Sequence, residues 1–344
     1  RSWSAGSAST TSRANFTHLL SSDSRSMFGF LNIHKPKGKT SRDAVNHIQR
    51  MVRPIKVGHG GTLDPLATGV LVVAIGPATR LIEYVQAQPK TYRGTFRLGE
   101  SSNTEDLEGE IKVLTEPPIP SRQDIERVRP TFVGSIRQIP PAYSAIKIDG
   151  KRAYKLARQG SELELSARTI EIYDLEVLSY EYPHLELEIR CGSGTYIRSL
   201  GRDFARALGT EAVMTSLVRT SIGDFRLEDA LNLESLQPEA LAPSLIQPDR
   251  ALASHATITL DPTQLRQLQN GRPVGLPQIS QNESSGPLAF DEQHRLQAIL
   301  RPTERGWRVA KSFWDAHGTP PEKQVDPRSN IVSEDSHTSN QTDL

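Results

Sequence analysis

Cysteine is almost absent from the chain, because Cys191 is the only one among 344 residues. A single thiol excludes an internal disulfide and a cysteine-rich metal site. This suits the reducing cytoplasm, where we expect the protein to act. Cys191 alternates in step with Leu185, Leu187 and Ile189, which predicts a small core residue and not a catalytic thiol. No run approaches the roughly 18 apolar residues that span a bilayer, so we expect no membrane partner.

The length is that of about two domains, and local composition divides the chain into four segments. Residues 1–26 are rich in serine, with little to pack, so we expect a disordered leader. Its composition resembles a transit peptide. A leader translated upstream of Met27 fits equally well, and we favour it because the ordered pattern begins immediately afterwards. Residues 27–250 are expected to form the main domain, 251–315 a small β domain, and 316–344 a disordered tail.

The net charge of +1 conceals two basic clusters. The second of them runs from Lys147 to Arg158. Basic residues at this density are typical of a surface that contacts a phosphate backbone, although charge alone fits a solvated face equally well. The cations of the first cluster, against Asp43 alone, are Lys35, Lys37, Lys39, Arg42, Arg50, Arg53 and Lys56.

Periodicity predicts four strands in the main domain. Apolar and polar residues alternate over 90–99 and 184–191, as they do in a strand with one buried face. Residues 28–33 read as a short strand, and the unbroken apolar run 70–75 has the length of a buried strand.

Helices are predicted between these strands. Thr40 to Asp43 has the form of a capping box, so we expect a helix to begin there and to end before Pro54. Further helices are expected over 121–134 and 195–208. The polar, acidic residues 100–110 are predicted to form a loop.

The glycine-rich loop Val57–Gly69 carries one imidazole, His59, and one carboxylate, Asp64. Pro65 steers Asp64 away from helical geometry toward an extended conformation. A carboxylate fixed on a loop at the edge of a buried strand is where a catalytic group would lie. By composition alone, an Asx turn that caps the next element explains the same residues.

Arg198 lies in the first turn of the helix predicted over 195–208. The helix dipole disfavours a cation at that end. We therefore expect Arg198 to have a partner, of which a carboxylate is the obvious kind.

Four separated motifs occur in one order and at familiar spacing: Lys35-Pro36-x-Gly38-x-Thr40-Ser41, Gly58-His59-x-Gly61-Thr62-Leu63-Asp64-Pro65-Leu66-Ala67-Thr68-Gly69, Tyr92-Arg93 and Gly194-Thr195-Tyr196-Ile197-Arg198. With them, residues 27–250 resemble the bacterial tRNA pseudouridine synthase B family, which makes the pseudouridine at position 55 in the T-loop of tRNA. The resemblance implies an α+β pseudouridine synthase fold: a mixed, mainly antiparallel sheet flanked by helices, with the cleft crossing the sheet. It also implies a small C-terminal β domain of the PUA type, which Asn270–Val274 fits while the rest diverges.

The resemblance implies roles for eight residues. Asp64 corresponds to the nucleophile, and attack at the ribose C1′ and attack on the base are both open to a carboxylate. Arg198 corresponds to its ion-pair partner. Tyr92 corresponds to a tyrosine that stacks on the base and is a candidate for removing the proton from C5; by pattern alone it would be a core aromatic. Gly60 departs from the family, where threonine is frequent. The residues implied to bind or support the substrate are His59, Lys35, Pro36, Leu217 and Tyr196.

The implied partner is the T-stem loop of tRNA, bound by a monomer whose target uridine is flipped from its stack. The isomerisation implies no metal and no other cofactor, and we expect no DNA partner. Two alternatives stay open. The first is a tRNA-binding folding factor in which modification is secondary. The second is a pseudouridine synthase with another specificity, or a guide-RNA-dependent relative.

Overall fold

The computed structural model describes residues 27–143, 147–148, 151–152, 165–276 and 286–317. The predicted leader and the predicted tail beyond His317 lie outside these residues, as do the side chains of the second basic cluster.

The described part of the chain contains eighteen strands and seven α-helices. The strands are β1 (Gly29–Lys35), β2 (Val57–His59), β3 (Thr68–Ile75), β4 (Lys90–Leu98), β5 (Glu100–Ser102), β6 (Ile111–Val113), β7 (Gly134–Gln138), β8 (Lys147–Ile148), β9 (Lys151–Arg152), β10 (Arg168–Glu181), β11 (His184–Cys191), β12 (Ala212–Ile222), β13 (Phe225–Arg226), β14 (Leu231–Asn232), β15 (Thr257–Thr259), β16 (Leu288–Phe290), β17 (Leu296–Thr303) and β18 (Gly306–Ser312). The helices are α1 (Ser41–Met51), α2 (Ile82–Ala87), α3 (Arg122–Val128), α4 (Ile197–Ala207), α5 (Pro238–Leu241), α6 (Pro248–Ala251) and α7 (Pro262–Gln269). No described helix has the length and apolarity to span a membrane.

Ten strands form one mixed sheet in the order β14-β1-β3-β12-β4-β11-β10-β7, with β2 beside β3 and β13 beside β12. Only the pairs β1·β14 and β3·β12 are parallel among the described strands of this sheet. A second sheet has the order β15-β16-β17-β18. The predicted α+β fold with a mixed, mainly antiparallel sheet and a small C-terminal β unit is confirmed.

Strand β3 is apolar from Val70 to Ile75 because both of its faces are covered. Leu71 and Val73 pack in one cluster with Ile48 of α1. Val70 and Val72 face the other way, in a cluster that includes Phe290 and Phe313 of the C-terminal unit. Burial on two faces explains why this strand reads as a continuous apolar run, while β4 and β11 elsewhere in the sheet alternate between buried and more exposed residues.

The capping box predicted at Thr40 is present. The Thr40 hydroxyl accepts from Asp43 N at 3.1 Å, and Thr40 N donates to the Asp43 carboxylate at 2.9 Å. Helix α4 also begins close to its predicted start, and Ile197, Leu200 and Phe204 form its buried stripe.

The structure differs from the prediction in three segments. Residues 100–110 are not only a loop, since β5 pairs with β6 in a hairpin. The predicted helix over 121–134 stops at Val128 and continues as a short 3-10 turn. Helix α7 was not predicted, because it contains few apolar residues, although Asp261 and Gln264 form a capping box at its start. The domain boundary at residue 250 stays a prediction.

Candidate active site

A cleft of about 320 Å³ opens where strands β3 and β12 meet in the middle of the large sheet. These two strands pair only at Thr68↔Val218 and Gly69↔Arg219. A Cβ at Gly69 would lie 2.2 Å from the Arg219 carbonyl oxygen, and the backbone of Gly69 has φ +101°, so glycine is needed for this close approach. The cleft is lined by the loop before β3, by β4 and β12, and by the start of α4.

Asp64 and Arg198 form an ion pair in this cleft. Arg198 Nε lies 3.0 Å from Asp64 Oδ2, and the two side chains are 6% and 36% exposed, respectively. The carboxylate therefore faces the cleft while the guanidinium lies buried behind it. The turn after Asp64 is closed by the main chain, from Ala67 N to Asp64 O at 3.1 Å. The carboxylate partner expected for Arg198 is thus Asp64.

The Arg198 guanidinium has three further acceptors. Nη1 donates to the Thr104 carbonyl at 2.7 Å and lies 3.6 Å from Asp106 Oδ2, and Nη2 donates to the Tyr143 carbonyl at 3.2 Å. Asp106 is buried, and its Oδ1 accepts from the Thr104 hydroxyl and from Glu108 N. Acceptors on several sides fix the plane of the guanidinium, which a single ion pair would not do.

Tyr92, Leu217 and Tyr196, all predicted site residues, line the cleft together with the ion pair. Burial raises the pKa of the Tyr92 phenol, and the nearby Arg219 cation offsets part of that increase. Tyr196 lies under the guanidinium of Arg168, whose Cζ is 4.7 Å from the ring centroid. These rings provide flat apolar surfaces beside the carboxylate.

His59, Lys35 and Pro36 are not among the residues that line the cleft. Nδ1 of His59 accepts a long hydrogen bond of 3.4 Å from Gly61 N, and burial lowers the pKa of the imidazole, with Arg42 and Arg219 adding to the effect. A neutral ring is therefore favoured in this protein. The implied contacts of these three residues with substrate stay predictions.

Lys35 is fully buried, and its Nζ donates to the carbonyls of Pro36 and Lys39 at 3.0 and 2.6 Å. Burial lowers the pKa of Lys35 to about 8, although the Asp64 charge acts in the opposite direction. These contacts agree with a structural role for Lys35 near the cleft.

The depressed pKa of Lys35 gives a testable dependence of stability on pH. Between pH 8 and the unfolded lysine's pKa, the unfolded chain binds more protons than the folded one, so unfolding becomes more costly as pH rises. Relative to Lys35→Met, we expect the free energy of unfolding of the unmodified protein to rise by about 2 kcal/mol from about pH 8 to about pH 10. Urea denaturation at several pH values measures the difference, and a difference that stays flat or falls would contradict the assignment.

Two further buried cations at the cleft were given no role from the sequence. Lys90 is buried and donates from Nζ to the carbonyls of Gln86 and Gln88, and burial lowers its pKa to about 8. Arg219 donates from Nε to Val70 O at 2.7 Å and from Nη2 to Gly61 O at 3.1 Å. Both line the cleft and tie neighbouring chain segments together there. Within the described residues no group of three or more His, Cys, Asp or Glu side chains could hold a metal ion.

The sequence of this chain is similar to that of known enzymes. The family model described as TruB family pseudouridylate synthase (N terminal domain) matches residues 49–197. A tRNA pseudouridine synthase B of Dehalococcoides mccartyi is 41% identical over 292 residues, which cover 83% of this chain and 97% of the relative. One from Rhodopirellula baltica is 44% identical over 269 residues, covering 74% and 77% of the two chains.

Solved structures share the fold. A crystal structure of a Cbf5-Nop10-Gar1 complex contains a chain with a TM-score of 0.65 and 24% identity, covering 83% of this chain and 85% of that one. A structure of an H/ACA RNP bound to a substrate RNA containing 2′-deoxyuridine gives a TM-score of 0.64 at 23% identity, covering 85% and 88%. At these identities the likeness extends to the fold alone. The curated relatives, in contrast, match at high identity over most of their own length. The chain belongs to the tRNA pseudouridine synthase B family and is an enzyme of tRNA pseudouridine synthesis.

Proposed function

We propose that the chain isomerises uridine 55 in the T-loop of tRNA to pseudouridine, with Asp64 as the nucleophile. The observation that carries this proposal is the Asp64–Arg198 ion pair at the cleft, where the carboxylate is partly exposed and the arginine is buried. A guanidinium at 3.0 Å stabilises the negative charge and fixes the direction of the carboxylate. A charged, oriented carboxylate open to one side is what nucleophilic attack requires.

The reaction is an isomerisation with a simple balance of atoms. The bond between N1 of uracil and C1′ of ribose breaks, and after rotation of the base a bond between C5 and C1′ forms. The bond that the Asp64 carboxylate forms in between, with C1′ or with the base, is broken again, which regenerates the carboxylate. C5 loses a proton and N1 gains one. No electrons are transferred to or from another molecule. The residues of the cleft therefore have to bind the base, provide the nucleophile and orient the rotated base so that C5 faces C1′.

Tyr92 is proposed to stack on the uracil, with Leu217 on the same wall of the cleft. Its phenol is almost fully buried, and the raised pKa keeps the phenolate scarce near neutral pH. Of the two roles implied for Tyr92, this environment favours stacking over removal of the C5 proton. Aromatic stacking also suits a base that has been taken out of the RNA stack.

Base flipping is part of the proposal, because a uridine inside the folded T-loop cannot reach a carboxylate at the bottom of a cleft while it stays stacked. The first basic cluster supplies exposed cations for the surrounding RNA backbone. Lys37, Lys39 and Arg42 are exposed at the start of α1, and further along Arg50 and Lys56 are exposed as well. Such contacts give affinity that falls with salt and depends little on sequence.

Tritium release tests the proposal. A tRNA transcript labelled with tritium at uracil C5 should lose one label per molecule to water, and a matched transcript with cytidine at position 55 should lose none. Release from the second transcript would overturn the assignment to position 55 and leave pseudouridine synthesis at another site. If neither transcript releases tritium but tRNA annealing is accelerated, the folding-factor alternative replaces the proposal.

A further inference from the structure

Helix α4, which carries Arg198, begins without the usual stabilising features. Its N-cap residue is Tyr196, and no side chain caps the helix by a hydrogen bond. The first turn contains no acidic residue but does contain the Arg198 cation, which the helix dipole disfavours. A helix start of this kind needs to be held from outside if Arg198 is to keep one position.

Gln138, the last residue of β7, provides that hold. Its Nε2 donates to the Tyr196 carbonyl at 3.0 Å, and its Oε1 accepts from Tyr196 N at 2.9 Å. Gln138 is 1% exposed, so its amide is shielded from water where it makes both hydrogen bonds. One amide thus binds both main-chain polar groups of the N-cap residue, 58 positions away in the sequence.

The chain that follows Gln138 returns to the same arginine. Five residues later, the Tyr143 carbonyl accepts from Nη2 of Arg198 at 3.2 Å. In the sheet, Gln138 pairs with Arg168, whose guanidinium lies over the Tyr196 ring. The N-cap residue is therefore held through its backbone by Gln138 and through its ring by Arg168.

We propose that Gln138 is a positioning residue for the reaction, acting on Asp64 through helix α4 and Arg198. The inference rests on the proposed roles of Asp64 and Arg198. Gln138 fixes Tyr196, two residues before Arg198, and so sets where the guanidinium meets the carboxylate. Glutamine suits this task because its amide offers one donor and one acceptor in the same plane, as the backbone of Tyr196 requires.

Two substitutions distinguish the effect of the Gln138 hydrogen bonds from the effect of the side chain's size. Gln138→Met keeps the length of the side chain and removes both hydrogen bonds. Gln138→Glu keeps the acceptor for Tyr196 N but sets a carboxylate oxygen against the Tyr196 carbonyl. The matched control is Gln297→Met, because Gln297 is also buried and donates to Asp291 at 2.7 Å, but lies in β17 of the C-terminal sheet.

The experiment measures single-turnover tritium release and tRNA affinity for each variant. Displacement of a catalytic group by about 1 Å typically costs on the order of 100-fold in rate, so we expect a loss of about 10- to 100-fold for Gln138→Met and Gln138→Glu. The Kd for tRNA should stay within about threefold, because Gln138 is buried and does not line the cleft. Gln297→Met should keep the rate of the unmodified enzyme. A normal rate in Gln138→Met, or a Kd that weakens as much as the rate falls, overturns the proposal.

A double-mutant comparison tests whether Gln138 acts through Arg198. In an Arg198→Lys background, Gln138→Met should cost less than about threefold, because the group that it positions is already gone. Fully multiplicative losses would show an independent structural role and overturn the proposal.

Amide hydrogen exchange tests, without an activity assay, whether Gln138 holds the start of α4 in place. Exchange over Tyr196 to Leu200 should be faster in Gln138→Met than in the unmodified enzyme, and unchanged in Gln297→Met. Unchanged exchange in Gln138→Met overturns the proposal even if the enzyme is active. An unmodified enzyme that releases no tritium, with the exchange result as expected, would instead refute the proposed function and leave Gln138 as the hold on α4.

Discussion

Asp64→Asn is expected to abolish pseudouridine formation while leaving tRNA bound. The amide has the shape of the carboxylate but no negative charge, so it can neither attack carbon nor attract the Arg198 guanidinium. Removal of a covalent nucleophile commonly lowers turnover by about 10⁴- to 10⁶-fold. Single-turnover tritium release, with enzyme in excess over tRNA, measures this loss, and filter binding should give a Kd within about tenfold of normal.

The control for this experiment is Asp224→Asn, which makes the same chemical change at an exposed aspartate in the turn between β12 and β13. That variant should release tritium at the normal rate. If Asp64→Asn also lost tRNA binding and melted at a lower temperature, Asp64 would be a structural residue. If it kept more than about 1% of the rate, the carboxylate would not be the nucleophile.

Where local pattern and burial agree, the sequence predicts the structure well. Strand β11 alternates in sequence and in burial, and Cys191 at its end is buried as expected. The capping box at Thr40 needs only four consecutive residues, so no distant contact decides it. Strand β3 also matches its prediction, because its apolar run reflects the burial of both of its faces.

The hairpin of β5 and β6 illustrates why other elements escape prediction. Its strands are only three residues long, which is too short for periodicity or hydrophobicity to distinguish them from a loop. Asp106 lies in the connection between them, in a stretch with several acidic residues. Nothing local shows that this carboxylate, and not its neighbours, turns inward to Arg198.

The candidate site also contains features that the sequence predicts and features that it does not. The need of Arg198 for a carboxylate could be inferred from its place in a helix, because the dipole is a local property. The residue that holds the start of the helix could not be inferred, since Gln138 and Tyr196 lie 58 positions apart and meet only in the folded chain. The sequence Gln138-Ile139-Pro140-Pro141 contains no pattern that indicates a buried amide. Motifs therefore indicate the proposed reacting groups, while the groups that orient them depend on tertiary contacts.

Arg198→Lys is expected to lower the rate of tritium release by about 100- to 1,000-fold, because guanidinium and ammonium are not interchangeable where one cation serves several acceptors. Arg198 meets Asp64 through Nε, Thr104 and Asp106 through Nη1, and Tyr143 through Nη2. A lysine ammonium is a single point of charge. If it moves to Asp64, the carbonyls and Asp106 lose their partner inside the protein, and if it stays with them, the carboxylate loses its own.

The matched substitution for this prediction is Arg206→Lys, two turns further along α4. Arg206 is also paired with a carboxylate, Glu211, at 2.9 Å, but its side chain is 55% exposed and lies outside the cleft. An exposed pair of this kind contributes little, so the rate should stay within about twofold. Single-turnover tritium release, quenched at fixed times and with saturating enzyme, compares the two variants directly. The tRNA affinity of each is measured alongside. Full activity in Arg198→Lys would mean that a bare positive charge suffices beside Asp64, and the fixed plane of the guanidinium would then have no part in the reaction.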